Sequence, residues 1–143
     1  IYQNPGSFGP MASHTNGAIG IKCANPDKVV ISGSGDGCYL MAGFELMTAV
    51  ENNIPLVWVI FNNGEFNVIK KFLINMFGKH AYMQFMNPNY VEYAKSCGAE
   101  GFRVEKLEDF AEVFNKAIKM NKPVLIDVVI ESEVYPPFSL AKV

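Results

Sequence analysis

The order of apolar and polar positions along the 143-residue chain predicts alternating strands and helices. A β-branched run predicts a strand over residues 28–32, and apolar residues at helical spacing predict a helix over residues 39–51. Residues 56–61 are continuously apolar over the length of a strand, which is typical of a parallel strand buried on both faces. These segments form a predicted β-α-β unit. The apolar face of its helix consists of Leu40, Phe44, Met47 and Val50.

Similar patterns continue on both sides of this unit. Alternating strands and helices of these lengths predict an α/β fold, with three α-β-α layers around a mostly parallel, doubly wound sheet. The other predicted elements are a helix over 15–24, an irregular aromatic and Met-containing stretch over 66–86, a short helix over 90–97, a short strand over 102–104, an amphipathic helix with Leu107, Phe110, Ala111, Phe114 and Ile118 on one face, and a strand over 123–130.

The length of the chain allows one domain with a substantial core. Residues 1–143 are therefore predicted to form a single domain, in which residues 132–143 are an extended C-terminal tail. The first ten residues are rich in Gly and Pro and predict a loop, and the chain begins with Ile1 rather than Met. We expect the chain to be part of a longer protein.

Composition excludes several classes of partner. The net charge is −2 and the 12 Lys and Arg residues are scattered, so the basic surface that nucleic acid requires is not predicted. The apolar runs are too short to cross a bilayer, and no signal sequence opens the chain. Cys23, Cys38 and Cys97 stand far apart, which favours buried thiols in a reducing compartment. A cytoplasmic location is the expectation.

Asp36 and Asn63 follow the two strands of the β-α-β unit and are predicted to meet. The strands of such a unit run the same way, so the loops at their carboxyl ends lie at one edge of the sheet, where ligands bind in α/β folds. The helix rises about 20 Å and the second strand returns about 20 Å, at the usual rise per residue. The two side chains therefore arrive at the same place.

This pair has the chemistry of a magnesium diphosphate site. Mg²⁺ prefers six oxygen ligands and is usually held by one or two protein groups together with phosphate and water. Asp36 can supply an anionic oxygen and Asn63 a neutral one. Gly35 and Gly37 leave the backbone unobstructed, so that the amides of Gly37 and Cys38 at the start of the helix can point at a phosphate.

The Gly-Asp-Gly sequence centred on Asp36, followed after 24 residues by Asn62 and Asn63, resembles the signature of thiamine-diphosphate enzymes. The resemblance implies that Asp36, Asn63 and the backbone carbonyl of Glu65 bind Mg²⁺. Outside the signature, Gly9-Pro10-Met11 resembles the family's Gly-x-Met. There the glycine carbonyl accepts a hydrogen bond from the cofactor's 4′-amino group, and the apolar side chain supports the bent shape of the cofactor.

The end of the chain is similar to acetolactate synthase and its relatives, in residues 123–128 and 133–137. The resemblance places Val68 beside the reactive carbon, where acetolactate synthases commonly carry Met. Ile69 stands where pyruvate-decarboxylase relatives carry a catalytic Glu, which argues against that subtype. The stretch after Met11 also departs from the family, because the polar His14 stands there.

The resemblance implies a thiamine-diphosphate- and Mg²⁺-dependent enzyme, a lyase or transferase, that decarboxylates a 2-oxo acid and joins the product to a second carbonyl compound. A benzoylformate-type decarboxylase or a pyruvate oxidase is the alternative, and the need for FAD stays open. The activating Glu is expected from a pyrimidine-binding domain of the same or a neighbouring subunit, within a homodimer or tetramer. No catalytic residue is therefore assigned to this chain. A non-catalytic cofactor-binding module is the alternative of another class.

Simpler interpretations compete with each of these assignments. Gly-Asp-Gly alone is an ordinary turn, and Asn63-Gly64 is a strong hairpin signal in which residues 66–69 would return as a strand. Residues 33–37 also resemble a dinucleotide-binding loop, but G-x-G-x-G is one residue shorter than the fingerprint. His14 and His80 are interpreted as surface or capping residues, and Cys38 as a small residue that contributes its amide.

Overall fold

Within residues 9–132, four parallel strands form the sheet, in the order β1-β2-β4-β3. The computed structural model describes residues 9–132, and the predicted tail beyond Ser132 lies outside the described residues. The strands are β1 (Ile31–Gly35), β2 (Val57–Asn62), β3 (Glu100–Val104) and β4 (Val124–Val129). The helices are α1 (Ser13–Ala24), α2 (Asp36–Leu40), α3 (Glu45–Glu51), α4 (Asn67–Phe77), α5 (Tyr90–Ser96) and α6 (Leu107–Ala117).

The helices cover the two faces of the sheet in the way that the strand order requires. The connections β1 to β2 and β2 to β3 run in one direction across the sheet, whereas β3 to β4 runs back. Because all crossover connections have the same handedness, connections that run in opposite directions across the sheet place their helices on opposite faces of it. Residues of α1, α3 and α5 accordingly pack with Trp58 and Leu125 on one face, and α6 packs with Val59 and Ile126 on the other. The predicted α/β fold is confirmed.

The first strand lies three residues later than predicted, at Ile31–Gly35 rather than 28–32. Its serines and glycines have little preference for strands, but the parallel ladder with β2 pairs Gly33 with Val59 and Gly35 with Phe61. Tertiary pairing therefore overrides local preference. As a result the predicted loop 33–37 does not exist, because Gly35 ends the strand and the next residue begins α2.

The helix predicted over 39–51 is broken into α2 and α3, and of its predicted apolar face only Val50 packs against the core. Leu46 and Ala49 are buried, as is Tyr39, whereas Phe44 and Met47 are exposed. The turn between the helices brings Gly43 so close to the Tyr39 ring that a Cβ on the glycine would lie 2.6 Å from it. Apolar residues occur on both sides of this segment, so periodicity could not select the face that meets the sheet. Leu40, of the predicted face, is also exposed.

The stretch 66–86, predicted to be irregular, contains the helix α4. Asn67 is the buried residue of this helix, and large side chains such as Phe72 and Phe77 are exposed. The helix therefore has no apolar face packed on the core, which is the pattern by which it could have been predicted from the sequence. The hairpin alternative is wrong in its returning strand. The chain does pair with itself here, through Phe66 N–H to the Met83 carbonyl at 2.9 Å, but only after α4 has intervened.

The remaining helices and strands lie close to their predicted bounds, but several residues are more exposed than predicted. Phe110 and Phe114 of α6, and Ile118 just after it, pack on the sheet as predicted, whereas Leu107 and Ala111 are exposed. The prediction of buried thiols is wrong, because Cys23 is exposed and Cys38 and Cys97 are only partly buried. All three cysteines are free. Within residues 9–132 no helix has both the length and the apolar character needed to span a membrane.

Candidate cofactor site

Asp36 lies at the carboxyl end of β1, where the strand passes directly into α2. The residue is 3% exposed, so its carboxylate has been withdrawn from bulk water. The carboxylate Oδ1 accepts a hydrogen bond of 2.8 Å from the Gly37 amide. That amide, which we predicted to point at a phosphate, is thus engaged by the carboxylate beside it.

The chain after β2 comes back to Asp36, as the β-α-β geometry predicts. Asp36 Oδ2 accepts from the backbone amides of Asn63 at 3.2 Å and Gly64 at 2.7 Å. The amide oxygen Oδ1 of Asn63 accepts from the Glu65 amide at 3.3 Å, which orients this side chain. Asp36, Asn63 and Glu65 therefore form one cluster at the carboxyl edge of the sheet.

The cluster opens on a cavity of about 650 Å³. Most of its wall is apolar, with Phe61, Phe66, Ile69 and Ile130 among its members. Gly9 is not among the lining residues. The predicted site residues that line the cavity are Met11, Gly35, Asp36, Gly37, Cys38, Asn63, Glu65 and Val68.

The two glycines that flank Asp36 play different structural roles. A Cβ at Gly37 would lie 2.5 Å from the Phe66 ring, so the absence of a side chain lets this ring cover the start of α2. A Cβ at Gly35 would meet nothing within 4 Å. Only Gly37 is therefore demanded by packing within the domain.

Glu65 adds a second buried carboxylate to the cavity wall. The Lys70 ammonium donates to Glu65 Oε2 at 2.8 Å, which lowers the pKa of the Glu65 carboxyl from its ordinary value although burial acts in the opposite direction. The other oxygen, Oε1, is buried and has no hydrogen-bond partner among the described residues. Lys70 thus favours the ionised form of Glu65, and the ion pair carries no net charge.

Sequence reasoning missed Asn87, which makes the only side-chain contact to Asp36 Oδ2 among the described residues. Its Nδ2 donates to Asp36 Oδ2 at 2.7 Å and to Asn62 Oδ1 at 2.7 Å, and its Oδ1 accepts from the Tyr90 hydroxyl at 2.9 Å. Burial, with the nearby Asp36 charge as the next cause, raises the pKa of Tyr90 well above its ordinary range, so the hydroxyl remains a donor. No local signal distinguishes Asn87 from other asparagines.

Hydrogen bonds between polar side chains continue from Asn62 across the sheet, and we call this series of side chains the polar chain. Asn62 Nδ2 donates to Asp127 Oδ1 at 2.8 Å, and Arg103 Nη1 donates to Asp127 Oδ2 at 2.6 Å. Asp127 is completely buried in the middle of β4. A lone Asp within the apolar run of the last strand was a sequence signal, because a buried charge requires partners.

The oxygen atoms at this site fit a hard divalent cation. All described hydrogen bonds to the buried Asp36 carboxylate come from neutral N–H groups, so its negative charge is not neutralised by them. Oδ2 accepts three hydrogen bonds, whereas Oδ1 accepts only one and has a lone pair left to bind a metal ion. Carboxylate, amide and carbonyl oxygens are the ligands that Mg²⁺ prefers.

The other candidate residues have simpler surroundings. His14 is partly buried within α1 and its backbone carbonyl accepts from Ser32 Oγ, but α1 has no side-chain cap. His80 is exposed. The thiol of Cys38 is partly exposed at the cavity.

A parallel α/β sheet with a cavity and a buried carboxylate at its carboxyl edge has the architecture of a ligand-binding domain. Comparison with known proteins identifies the family: residues 1–128 match the model described as "Thiamine pyrophosphate enzyme, C-terminal TPP binding domain". The chain belongs to this family. The resemblance inferred from its motifs is thereby confirmed.

Individual relatives support the same assignment. The chain is 33% identical to a sulfoacetaldehyde acetyltransferase of Alcaligenes xylosoxydans xylosoxydans, over 94% of the chain and 23% of the relative. It is 33% identical to an acetolactate synthase of Bacillus subtilis (strain 168), over 80% of the chain and 20% of the relative. A solved thiamine diphosphate-dependent 4-hydroxybenzoylformate decarboxylase of Rhodococcus jostii RHA1 superposes with a TM-score of 0.81 at 30% identity, covering 87% of the chain and 24% of that protein. The chain thus spans less than a quarter of each.

Proposed function

We propose that this domain binds thiamine diphosphate through Mg²⁺, with the side chains of Asp36 and Asn63 and the backbone carbonyl of Glu65 as metal ligands. The observation that carries the proposal is the buried Asp36 carboxylate, which is hydrogen-bonded only by neutral groups within the described residues and opens on a cavity of about 650 Å³. Gly35, Gly37 and Cys38 lie beside it at the start of α2. They would border the diphosphate.

The complete protein is proposed to act on a 2-oxo acid, with decarboxylation followed by carboligation, as in acetolactate synthase. Bound thiamine diphosphate supplies a thiazolium ring that accepts the electron pair left when carbon dioxide departs. The residues of this chain orient the cofactor and exclude water, through Met11, Phe66 and Val68 on the apolar wall. Ile69 also lines the cavity and offers no proton donor, which supports carboligation over simple decarboxylation.

A benzoylformate-type decarboxylase is the second candidate, because the similar solved structure is named for 4-hydroxybenzoylformate. Incubating the complete protein with pyruvate or benzoylformate, and separating the products, distinguishes carboligation from release of an aldehyde. Binding of the cofactor without turnover of any 2-oxo acid would favour a non-catalytic module instead.

The activating Glu and the pyrimidine contacts are proposed to come from a pyrimidine-binding domain of the same or a neighbouring subunit, in a homodimer or tetramer. The length of the relatives supports this proposal, since the matching region is less than a quarter of each. Exposed Met41, Phe44 and Met47 also provide an apolar surface near the α2–α3 turn. A cytoplasmic location is proposed from the three free thiols.

The metal-site proposal is tested by Asp36→Ala in the complete protein, with titration of thiamine diphosphate and Mg²⁺ by calorimetry. We expect Mg²⁺ affinity to fall by more than about 100-fold, beyond the roughly 10–100-fold typical of outer-shell groups. Asp27→Ala is the matched control, because Asp27 is an exposed aspartate before the opposite end of β1. Equal affinity of the native protein and Asp36→Ala would refute the proposal.

A further inference from the structure

The polar chain runs from the surface at Arg103 to Asp36, which directly follows β1. Its last member before Asp36 is Asn87, which donates a hydrogen bond to this proposed metal ligand. The polar chain begins at Arg103 on β3, passes through Asp127 on β4 and Asn62 at the end of β2, and reaches Asp36 through Asn87. Each bond in the chain is 2.8 Å or shorter.

The hydrogen bonds around Asn87 allow only one orientation of its side-chain amide. Both of its N–H groups are donated, one to Asp36 Oδ2 and one to Asn62 Oδ1, while its oxygen accepts from Tyr90. Exchanging the oxygen and nitrogen of the amide would place oxygen against two acceptors and is excluded. The side chain is therefore held by three partners and presents a fixed donor to Asp36.

This donor fixes the orientation of the Asp36 carboxylate together with the backbone amides of Gly37, Asn63 and Gly64. With Asn87, Oδ2 receives three N–H donors, and the carboxylate is fixed with Oδ1 as the oxygen that has spare capacity. Partners that orient a ligand in this way commonly affect metal affinity as strongly as about 10–100-fold. They do so without touching the metal.

We infer that Asn87 is a positioning residue for the metal site, which orients Asp36 so that Oδ1 binds Mg²⁺ and ties this ligand to the Asn62–Asp127–Arg103 chain. The inference rests on the proposed function. Asn87 is not among the residues that line the cavity, so it would act on the metal through Asp36. Tyr90 acts one step further away, by fixing the orientation of the Asn87 amide.

The test compares Asn87→Ala and Asn87→Leu with native protein, in the complete protein, by calorimetric titration of Mg²⁺ at saturating thiamine diphosphate. Asn87→Leu keeps the approximate shape of the side chain but removes both N–H donors without adding a charge. We expect both variants to bind Mg²⁺ about 10–100-fold more weakly. Tyr90→Phe, which keeps both donors, is expected to show a smaller loss of the same kind.

Asn25→Ala is the matched control, because Asn25 is also partly buried and donates one side-chain hydrogen bond, to the Ile21 carbonyl. Its Mg²⁺ affinity should equal that of native protein. Cofactor binding by the Asn87 variants should recover at high Mg²⁺ concentration, which a folding defect would not allow. Thermal unfolding measured in parallel identifies variants that fail to fold.

The outcomes separate this inference from the proposed function. If native protein binds no Mg²⁺ with the cofactor, the proposed function fails and this inference fails with it. If native protein binds and both Asn87 variants bind equally well, the inference alone is overturned. A lower melting temperature with unchanged Mg²⁺ affinity would likewise overturn it and leave Asn87 a structural residue.

Discussion

At the scale of single residues, the packing of the site depends on whether a glycine leaves room for a neighbouring side chain. Gly37 admits the Phe66 ring, and the Phe66 ring packs in turn against Phe85 at 4.7 Å between centroids. Gly35 adjoins the same carboxylate but has open space where a Cβ would lie. Two glycines that look equivalent in the sequence therefore differ in the packing that they permit.

We expect Gly37→Ala to lower the free energy of unfolding by about 1–3 kcal/mol, because the new methyl group overlaps the Phe66 ring. Chemical denaturation measured without cofactor gives this value. Gly35→Ala is the matched variant, since Gly35 has an extended backbone that alanine adopts freely, and its stability should change by less than about 0.5 kcal/mol. Equal destabilisation by the two substitutions would contradict the packing role of Gly37.

At the scale of elements, the helical segment after Asp36 shows how tertiary contacts select one face of an apolar helix. Leu46 of α3 is 1% exposed and packs in the core with Trp58, whereas its neighbour Met47 is 48% exposed. Tyr93 of α5 holds the turn before α3 by donating to the Gly43 carbonyl at 2.7 Å. The helix is thereby set against the sheet with the face that periodicity did not indicate.

Leu46→Ala is expected to destabilise the domain by about 2–5 kcal/mol, because it removes a fully buried side chain from the core. Met47→Ala in the same turn should cost less than about 0.5 kcal/mol in the isolated domain, since this side chain lies largely in solvent. Thermal unfolding of the two variants distinguishes the faces. Greater destabilisation by Met47→Ala than by Leu46→Ala would instead support burial of the face that the sequence predicted.

At the scale of the whole molecule, one polar chain connects the most distant edge of the sheet to the proposed metal site. Arg103 donates to the exposed Glu105 and to the buried Asp127, and these two carboxylates raise the pKa of its guanidinium above the ordinary value. Asp127 lies between β2 and β3 on the central strand β4. The order of the strands is therefore fixed by charge pairing as well as by apolar packing.

Arg103→Met is expected to lower the free energy of unfolding by about 1–3 kcal/mol, because it leaves the buried Asp127 carboxylate without its charged donor. The value lies below the full cost of breaking a buried ion pair, since Arg103 is itself half exposed. Glu105→Gln removes the exposed partner of the same arginine and should change stability by less than about 1 kcal/mol. Denaturant titration measures both, and similar losses would contradict the importance of the buried pair.

The sequence by itself determined the α/β class and the meeting of Asp36 with Asn63, because strand and helix periods are local and the geometry of a β-α-β unit follows from them. It also determined the family, through short motifs such as Gly35-Asp36-Gly37 and Asn62-Asn63 that can be recognised without knowing the fold. The position of β1, the buried face of α3 and the contact of Asn87 with Asp36 were decided only by the tertiary structure. Asn87 lies 51 positions from Asp36, and such a contact depends on the packing of several elements rather than on any local pattern.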